Sequence, residues 1–431
     1  MTERLGLAIV GLGLAGGGML AAARTHPGVR LAAAVDPQPE LRARFAAAEG
    51  LPAFADLGDA LALDDVDAVY IASPHQFHRE QAVRAAQAGK HVVVEKPMAL
   101  TLEDCDAMVT AAEAAGVVLI VGHTHGFAPG VLLLRELVQS GRYGPLGMIA
   151  LWNYTDFLYR PRRPEELDTS AGGGILFNQV PHQVDIARTI AGSPVRAVTA
   201  LTSVLDPQRP TEGSCAALVE LESGAAVNLV YSGYDHFDSD ELHGWIAEGG
   251  GPKTPAHGAA RARLRGLSAN EERQERTTRM AYGARTVARP ENQPHFGELV
   301  VSCAGADLRL GRHSVLAYTD DGVVEHPIDQ TAWWPGRGDV LEELVTAVRH
   351  RSPALHDGEF GRDTLAVCLA IIRSADQRRQ VLLDSRRERC DVPPDHGTTR
   401  RQGASDHDLA RAGSAPRSGE HPLTRARAPQ R

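Results

Sequence analysis

Gly11, Gly13 and Gly16 form a G-x-G-x-x-G run, and Asp36 follows 20 residues after the last glycine. Glycines at this spacing allow a tight turn and close approach to a pyrophosphate, which sits at a helix N-terminus where free N–H groups point outward. An aspartate at the end of the next strand accepts hydrogen bonds from ribose hydroxyls and repels a 2′-phosphate, so NAD is expected rather than NADP. The alternative is a Rossmann-type turn for another ligand, such as a methyl donor. Glu95-Lys96-Pro97 closes an apolar run. A lysine partly desolvated in a cleft has a lowered pKa and exchanges protons; the plainer reading is a surface lysine. Gly172-Gly173-Gly174 precedes Asn178, His182 and Asp185, and the last two share a helix face. A histidine beside a lysine can act as acid–base partner, whereas a capping cluster is the alternative. Pro161 biases Arg160 towards an extended conformation, which would aim Arg160 and Arg162 to one side. Two guanidinium forks on one side suit adjacent carboxylates; a solvated basic loop is the alternative. His123 and His125 bracket Thr124, with Asp156 further on, but three-ligand metal spacing is not visible and no metal is expected.

The elements that must position these groups are legible in outline. Residues 5–10 are a short apolar run, followed by the glycine turn and an Ala-rich helix. Runs at 29–35, 68–72, 91–95 and 117–121 read as strands, separated by helices at 40–50, 77–88 and 102–115. This alternation predicts an α/β, Rossmann-type parallel sheet over residues 1–124, with helices on both faces. Ligands of such sheets lie beyond the carboxyl ends of the strands, where Lys96 falls. Later strands are joined by short turns, as at 214–222 and 225–232. They predict a second, α+β domain for substrate and oligomerisation over 125–385, built on an open, largely antiparallel sheet. Residues 252–294 read as an irregular, Arg-rich excursion. Residues 386–431 carry ten Arg against six acidic residues and few large apolar ones, which predicts a disordered tail.

Composition narrows the function classes. The 431 residues are 43% hydrophobic and 23% charged, the mix of a globular protein with a core. A formal net charge of -9 argues against a nucleic-acid partner. No apolar run reaches the ~20 residues of a membrane span, and the N-terminus lacks the layout of a signal peptide. Five scattered cysteines fit a reducing cytoplasm.

Taken together, VGLGLAG at 10–16, ASPHQFH at 72–78, VVVEKPMAL at 92–100 and GGGILFNQVPHQVD at 172–185 resemble the Gfo/Idh/MocA-type oxidoreductases, the group of glucose–fructose oxidoreductase and inositol dehydrogenase. The resemblance covers roughly residues 5–385. It implies a Rossmann domain, a second domain whose open sheet often forms an oligomer interface, and NAD(P) as hydride carrier. It further implies Lys96 and His182 as the catalytic pair, with Ser73, Pro74, His78 and Glu95 on the cofactor side. The chain departs at Asn178 and Val180, where the family often has Asp and Gly; Asn cannot take a proton.

NYTDFLYRPRRPEEL at 153–167 and HFDSDE at 236–241 resemble, more narrowly, dehydrogenases of the phthalate cis-4,5-dihydrodiol in aromatic catabolism. The expected reaction is therefore NAD-dependent oxidation of a carboxylated cis-dihydrodiol. Arg160 and Arg162 are expected on the carboxylates of a dicarboxylate diol, with Tyr154, His123, Asn178 and Asp185 as further substrate contacts. A sugar or inositol dehydrogenase is the alternative, and a non-catalytic dinucleotide-binding regulator is the alternative from another class.

Overall fold

The computed structural model describes residues 4–122, 125–279, 290–329 and 337–383. His123 and the tail 386–431 lie outside the described residues.

Six strands form the first sheet: β1 (Leu5–Val10), β2 (Val29–Val35), β3 (Ala53–Phe54), β4 (Ala68–Ile71), β5 (His91–Glu95) and β6 (Leu119–Gly122). Their order is β3-β2-β1-β4-β5-β6 and every pairing is parallel. Helices α1 (Leu14–Thr25), α2 (Pro39–Glu49), α3 (Leu57–Leu61), α4 (His78–Gln87) and α5 (Leu102–Ala115) connect the strands. Because both faces are covered, consecutive residues Leu7, Ala8 and Ile9 are all fully buried, which is why β1 is apolar without alternation. Start and stop signals are local. Thr101 caps α5 by accepting from the Asp104 N–H at 3.2 Å, and Gly116, at φ 64°, ends it in the left-handed region.

Nine strands form the second sheet: β7 (Leu146–Tyr154), β8 (Val195–Ser203), β9 (Ser214–Leu221), β10 (Ala226–Ser232), β11 (Glu298–Cys303), β12 (Ala306–Leu310), β13 (Ser314–Thr319), β14 (Gly322–Pro327) and β15 (Val381–Leu382). The order is β14-β13-β12-β11-β7-β10-β9-β8-β15, antiparallel except for the central β7–β10 pair. The remaining helices are α6 (Pro129–Gln139), α7 (Gly174–Asn178), α8 (Val180–Ala191), α9 (Ala259–Leu264), α10 (Ala269–Arg279), α11 (Gly338–His350) and α12 (Gly358–Gln377). Helices α6, α8 and α12 cover one face only, so the strands alternate: Ile149, Leu151 and Asn153 are buried while Met148 is exposed. Full burial of a side chain such as Ile149 is worth about 1.5–3 kcal/mol.

The excursion 252–294 is not wholly irregular, since α9 and α10 lie in it. Apolar periodicity does not announce α10, ANEERQERTTR, because charge docks it. Glu272 accepts from the Arg162 backbone N–H at 2.9 Å and from both terminal nitrogens of Arg209 at 2.8 and 3.1 Å. Arg276 pairs with Glu166.

Candidate active site

The glycine turn has the shape that a dinucleotide requires. Gly11 sits at φ 92°, and a Cβ there would lie 2.8 Å from the Ala72 carbonyl oxygen. A Cβ on Gly16 would collide with the Gly11 carbonyl, and Gly13 is the N-cap of α1. Backbone packing thus requires two of these glycines, and the third leaves the helix N-terminus bare for an anion. Asp36 is buried at the end of β2, its carboxylate accepting from the N–H groups of Leu12 at 2.8 Å and Gln38 at 2.9 Å. It therefore ties the glycine turn to the ribose position. These residues fit NAD: the turn would cradle the pyrophosphate and Asp36 the adenosine ribose.

Behind this cradle, His78 is fully buried. Its Nε2 faces the Ser73 carbonyl at 2.9 Å, and its Nδ1 faces those of Pro97 and Met98 at 3.2 Å each. It therefore joins the Ser73-Pro74 turn to the Lys96-Pro97 turn, whose peptide bond is cis. Ser73 donates to the Gln81 side chain at 2.6 Å. With no exposed surface of its own, His78 holds these two turns together. Glu95 is clamped by Arg337 at 2.6 Å and by the Tyr70 hydroxyl. Arg337 was not among the sequence candidates, since no motif surrounds it.

Lys96 leaves β5 and donates to the Asn178 carbonyl at 2.8 Å. This bond brings Lys96 to the head of α8, where His182 lies in the first turn. Burial lowers the Lys96 pKa to about 8; Glu95 opposes the shift, while Arg337 and Arg162 reinforce it. The Asn178 amide donates to the carbonyls of Gly174 at 2.8 Å and Gly172 at 3.3 Å, so it holds the glycine loop. His182 meets His125 edge-on with ring centroids 4.6 Å apart, and Phe296 packs against both. Burial lowers the His125 pKa to about 4, leaving its ring neutral at ordinary pH. His125 and Phe296 are the contacts that the sequence reading did not assign.

The other expected substrate contacts are engaged within the protein. Tyr154 shares the parity of Trp152 on β7, opposite to Leu151 and Asn153, which face the covering helices. It lines a cavity of about 950 Å³ together with Arg162, Phe237, Tyr234, Arg209 and Glu272. Asp185 is fully buried beside His356, with no surface to offer a substrate. Arg162 lies close enough to Arg160 for their charges to interact, but its fork is spent inside the protein. The Arg162 guanidinium lies 3.9 Å over the Phe157 ring, gives Nε and Nη2 to the Phe157 carbonyl at 3.2 and 2.9 Å, and pairs with Glu166. Its side chain is 9% exposed, and burial together with Arg160 lowers its pKa to about 9. Arg160 gives Nε to Asp156 at 2.7 Å and is 35% exposed, and its terminal nitrogens make no hydrogen bond among the described residues. Glu248 and Tyr231 are the next groups whose charge it senses. No cluster of three or more His, Cys, Asp or Glu among the described residues is placed to hold a metal ion.

Comparison with known proteins agrees with this geometry. The model for the oxidoreductase family with an NAD-binding Rossmann fold matches residues 5–123, and that for the GFO/IDH/MocA C-terminal domain matches residues 131–246. The chain belongs to the Gfo/Idh/MocA oxidoreductases. Within that family it is 41% identical over 380 residues to the 1-carboxy-3-chloro-3,4-dihydroxycyclohexa-1,5-diene dehydrogenase of Comamonas testosteroni, covering 85% of this chain and 94% of the relative. It is 30% identical to the 4-carboxy-2-hydroxymuconate-6-semialdehyde dehydrogenase of Sphingobium sp. SYK-6, covering 52% of this chain and 71% of that one. A solved structure from Bordetella bronchiseptica RB50, classed as a dehydrogenase, superposes with a TM-score of 0.85 at 48% identity, covering 88% of this chain and all of that one. The chain is thus an oxidoreductase of the Gfo/Idh/MocA family.

Proposed function

We propose that this enzyme oxidises a carboxylated cis-dihydrodiol of a cyclohexadiene to the corresponding catechol, with NAD rather than NADP. The observation that carries the reading is Arg160, whose terminal nitrogens make no hydrogen bond among the described residues and which shares Glu248 as a charged neighbour with His125, itself within reach of the Lys96 charge. Aldoses and inositols have no carboxylate for it.

Bound NAD supplies the hydride acceptor. Lys96, held with a pKa near 8, takes the proton from the reacting hydroxyl as the carbinol carbon gives up its hydride. His182, with neutral His125 against it, accompanies this proton transfer. Arg160 receives the substrate carboxylate through its terminal nitrogens. The resulting hydroxy-enone tautomerises to the catechol, and aromatisation makes the direction effectively one-way. Asp36 leaves no space free of negative charge at the adenosine ribose, which supports NAD.

Phthalate 4,5-dihydrodiol, giving 4,5-dihydroxyphthalate, is the first substrate to test. A second reading is a monocarboxylated dihydrodiol. It is favoured by Arg162, whose fork is spent on Phe157 and Glu166, so that Arg160 alone stands ready for a carboxylate. A panel of phthalate dihydrodiol, benzoate dihydrodiols, inositols and aldoses, followed by NADH absorbance with NAD and with NADP, tests the proposal. Turnover confined to inositols or aldoses overturns it. The proposal includes a homo-oligomer, supported by the uncovered face of the second sheet, and a reducing cytoplasm, supported by free Cys105, Cys215, Cys303 and Cys368.

A further inference from the structure

Directly behind the His125–His182 pair lies a second group of ionisable side chains that the chemistry above does not use. Asp185 stands one residue short of a full turn beyond His182 on α8 and is fully buried. His356, from the loop between α11 and α12, is also fully buried. The facing atoms, Asp185 Oδ1 and His356 Nε2, are 3.6 Å apart. Among the described residues neither atom has a hydrogen-bond partner, and neither does Asp185 Oδ2. From the other side, Glu343 of α11 accepts from the His356 backbone N–H at 2.7 Å and meets its Nδ1 at 3.1 Å.

The group is wedged against the turn that carries His125. The Gly126 N–H faces the Asp185 carboxylate. A Cβ on Gly126 would collide with Asp185 and lie 2.7 Å from His356 Nε2. The Phe127 ring stacks on the His356 ring at 3.8 Å. The His356 carbonyl accepts from Val121 at 2.9 Å, which pins the same loop to β6. Thus His125 and His182, on different elements, rest on one buried acid–imidazole pair: His125 through Gly126, His182 through the first turns of α8.

We propose that Asp185 and His356, a buried acid–imidazole pair, act as positioning residues, fixing the His125 turn against α8 so that His125 and His182 keep their edge-on geometry. Two buried polar atoms 3.6 Å apart without hydrogen-bond partners among the described residues are costly unless opposite charge or a bound proton compensates them. The surrounding charges allow this. Arg188 and Glu343 face the pair from α8 and α11, Asp357 adjoins His356, and Asp363 of α12 engages Arg188. Burial raises the Asp185 pKa to about 7, and Glu343 and Asp185 raise that of His356 against its burial, so the pair retains an extra proton towards neutral pH.

Two variants test the inference, which rests on the proposed role of His182. Asp185→Asn keeps the shape and a hydrogen bond but removes the titration; Asp185→Leu removes both. With a substrate that the panel identifies, Asp185→Leu is expected to lower kcat at least roughly ten-fold with KM little changed, and Asp185→Asn to restore most of it. Two further readouts need no substrate. In protein with ¹³C-labelled histidine, the His125 and His182 ring signals should move in Asp185→Leu and stay near wild type in Asp185→Asn. Groups with raised folded pKa values contribute stability that is lost as pH rises through those values. The Tm of Asp185→Asn relative to wild type should therefore rise by about 2–4 °C between pH 5 and pH 8. If no panel substrate is turned over, the functional reading fails while the ring signals still decide this one. Unmoved ring signals in Asp185→Leu, or a lowered Tm with unchanged kcat, would show that the pair only fills the core.

Discussion

Lys96 is asked to be a proton acceptor in a protein where it is one of only three lysines. A buried ammonium beside Arg337 and Arg162 loses its proton more readily than a solvated one, which sets its pKa near 8. The neutral amine is the working form in the oxidative direction. Hence kcat/KM should climb with pH and level off above about 8. Lys96→Ala should lower kcat by about 10²–10⁴-fold while NADH binding, followed by fluorescence, persists. Activity within a few-fold of wild type would exclude Lys96 as the proton acceptor. The two arginines should behave differently from each other. Arg160→Ala should raise KM for a carboxylated diol roughly ten- to a hundred-fold over its effect on a neutral diol, the equivalent of a charged hydrogen bond worth about 1.5–3 kcal/mol. Arg162→Ala should instead lower Tm and weaken both substrates alike, because it removes the cap on Phe157 and leaves Glu166 without one of its partners. Equal selectivity losses from both variants would return Arg162 to the substrate.

At the scale of elements, the first domain was legible because its rules are local. Apolar runs bounded by glycine and Pro-containing turns gave the parallel strands, and the cradle followed from Gly11, Gly16 and Asp36. What escaped depends on context that a sequence does not carry. Tyr154 lines its cavity with Arg162, Arg209 and Glu272, partners that only the tertiary fold brings to it. Arg162 turns its fork to Phe157 and Glu166, partners that strand alternation does not foresee. His125 and Phe296 meet His182 only through the tertiary fold. Helix α10 escaped because no apolar stripe marks it. Its docking rests on Glu272, an anion 15% exposed against an Arg209 side chain 8% exposed. Glu272→Gln should release that helix. Losing charge-assisted bonds of about 1.5–3 kcal/mol should speed amide exchange over 269–279 roughly ten- to a hundred-fold. Unchanged exchange there would show that packing from α9 holds the segment without Glu272.

The whole molecule presents one surface that its own helices do not explain. The second sheet is covered on one face, and on the other Met148, Leu201 and Leu218 are 46%, 54% and 49% exposed, with Tyr318 and Val323 further along. Leu218 stands opposite Thr199 on β8 and Asn228 on β10, near the middle of the uncovered strands. An uncovered apolar sheet face is the usual mark of a contact with another protein. A second copy is the simplest occupant, since a two-fold axis through the sheet pairs the same patch with itself. Sedimentation at micromolar concentration should therefore give a multiple of 46.1 kDa. Leu218→Glu places a charge on each side of such an axis, where burial and like-charge repulsion act together, so the variant should sediment as a single chain. Lys96 and His182 belong to the other side of that sheet, so turnover per chain should survive the separation. A wild-type protein that is already monomeric at those concentrations would show that the face is left to water or to a different partner.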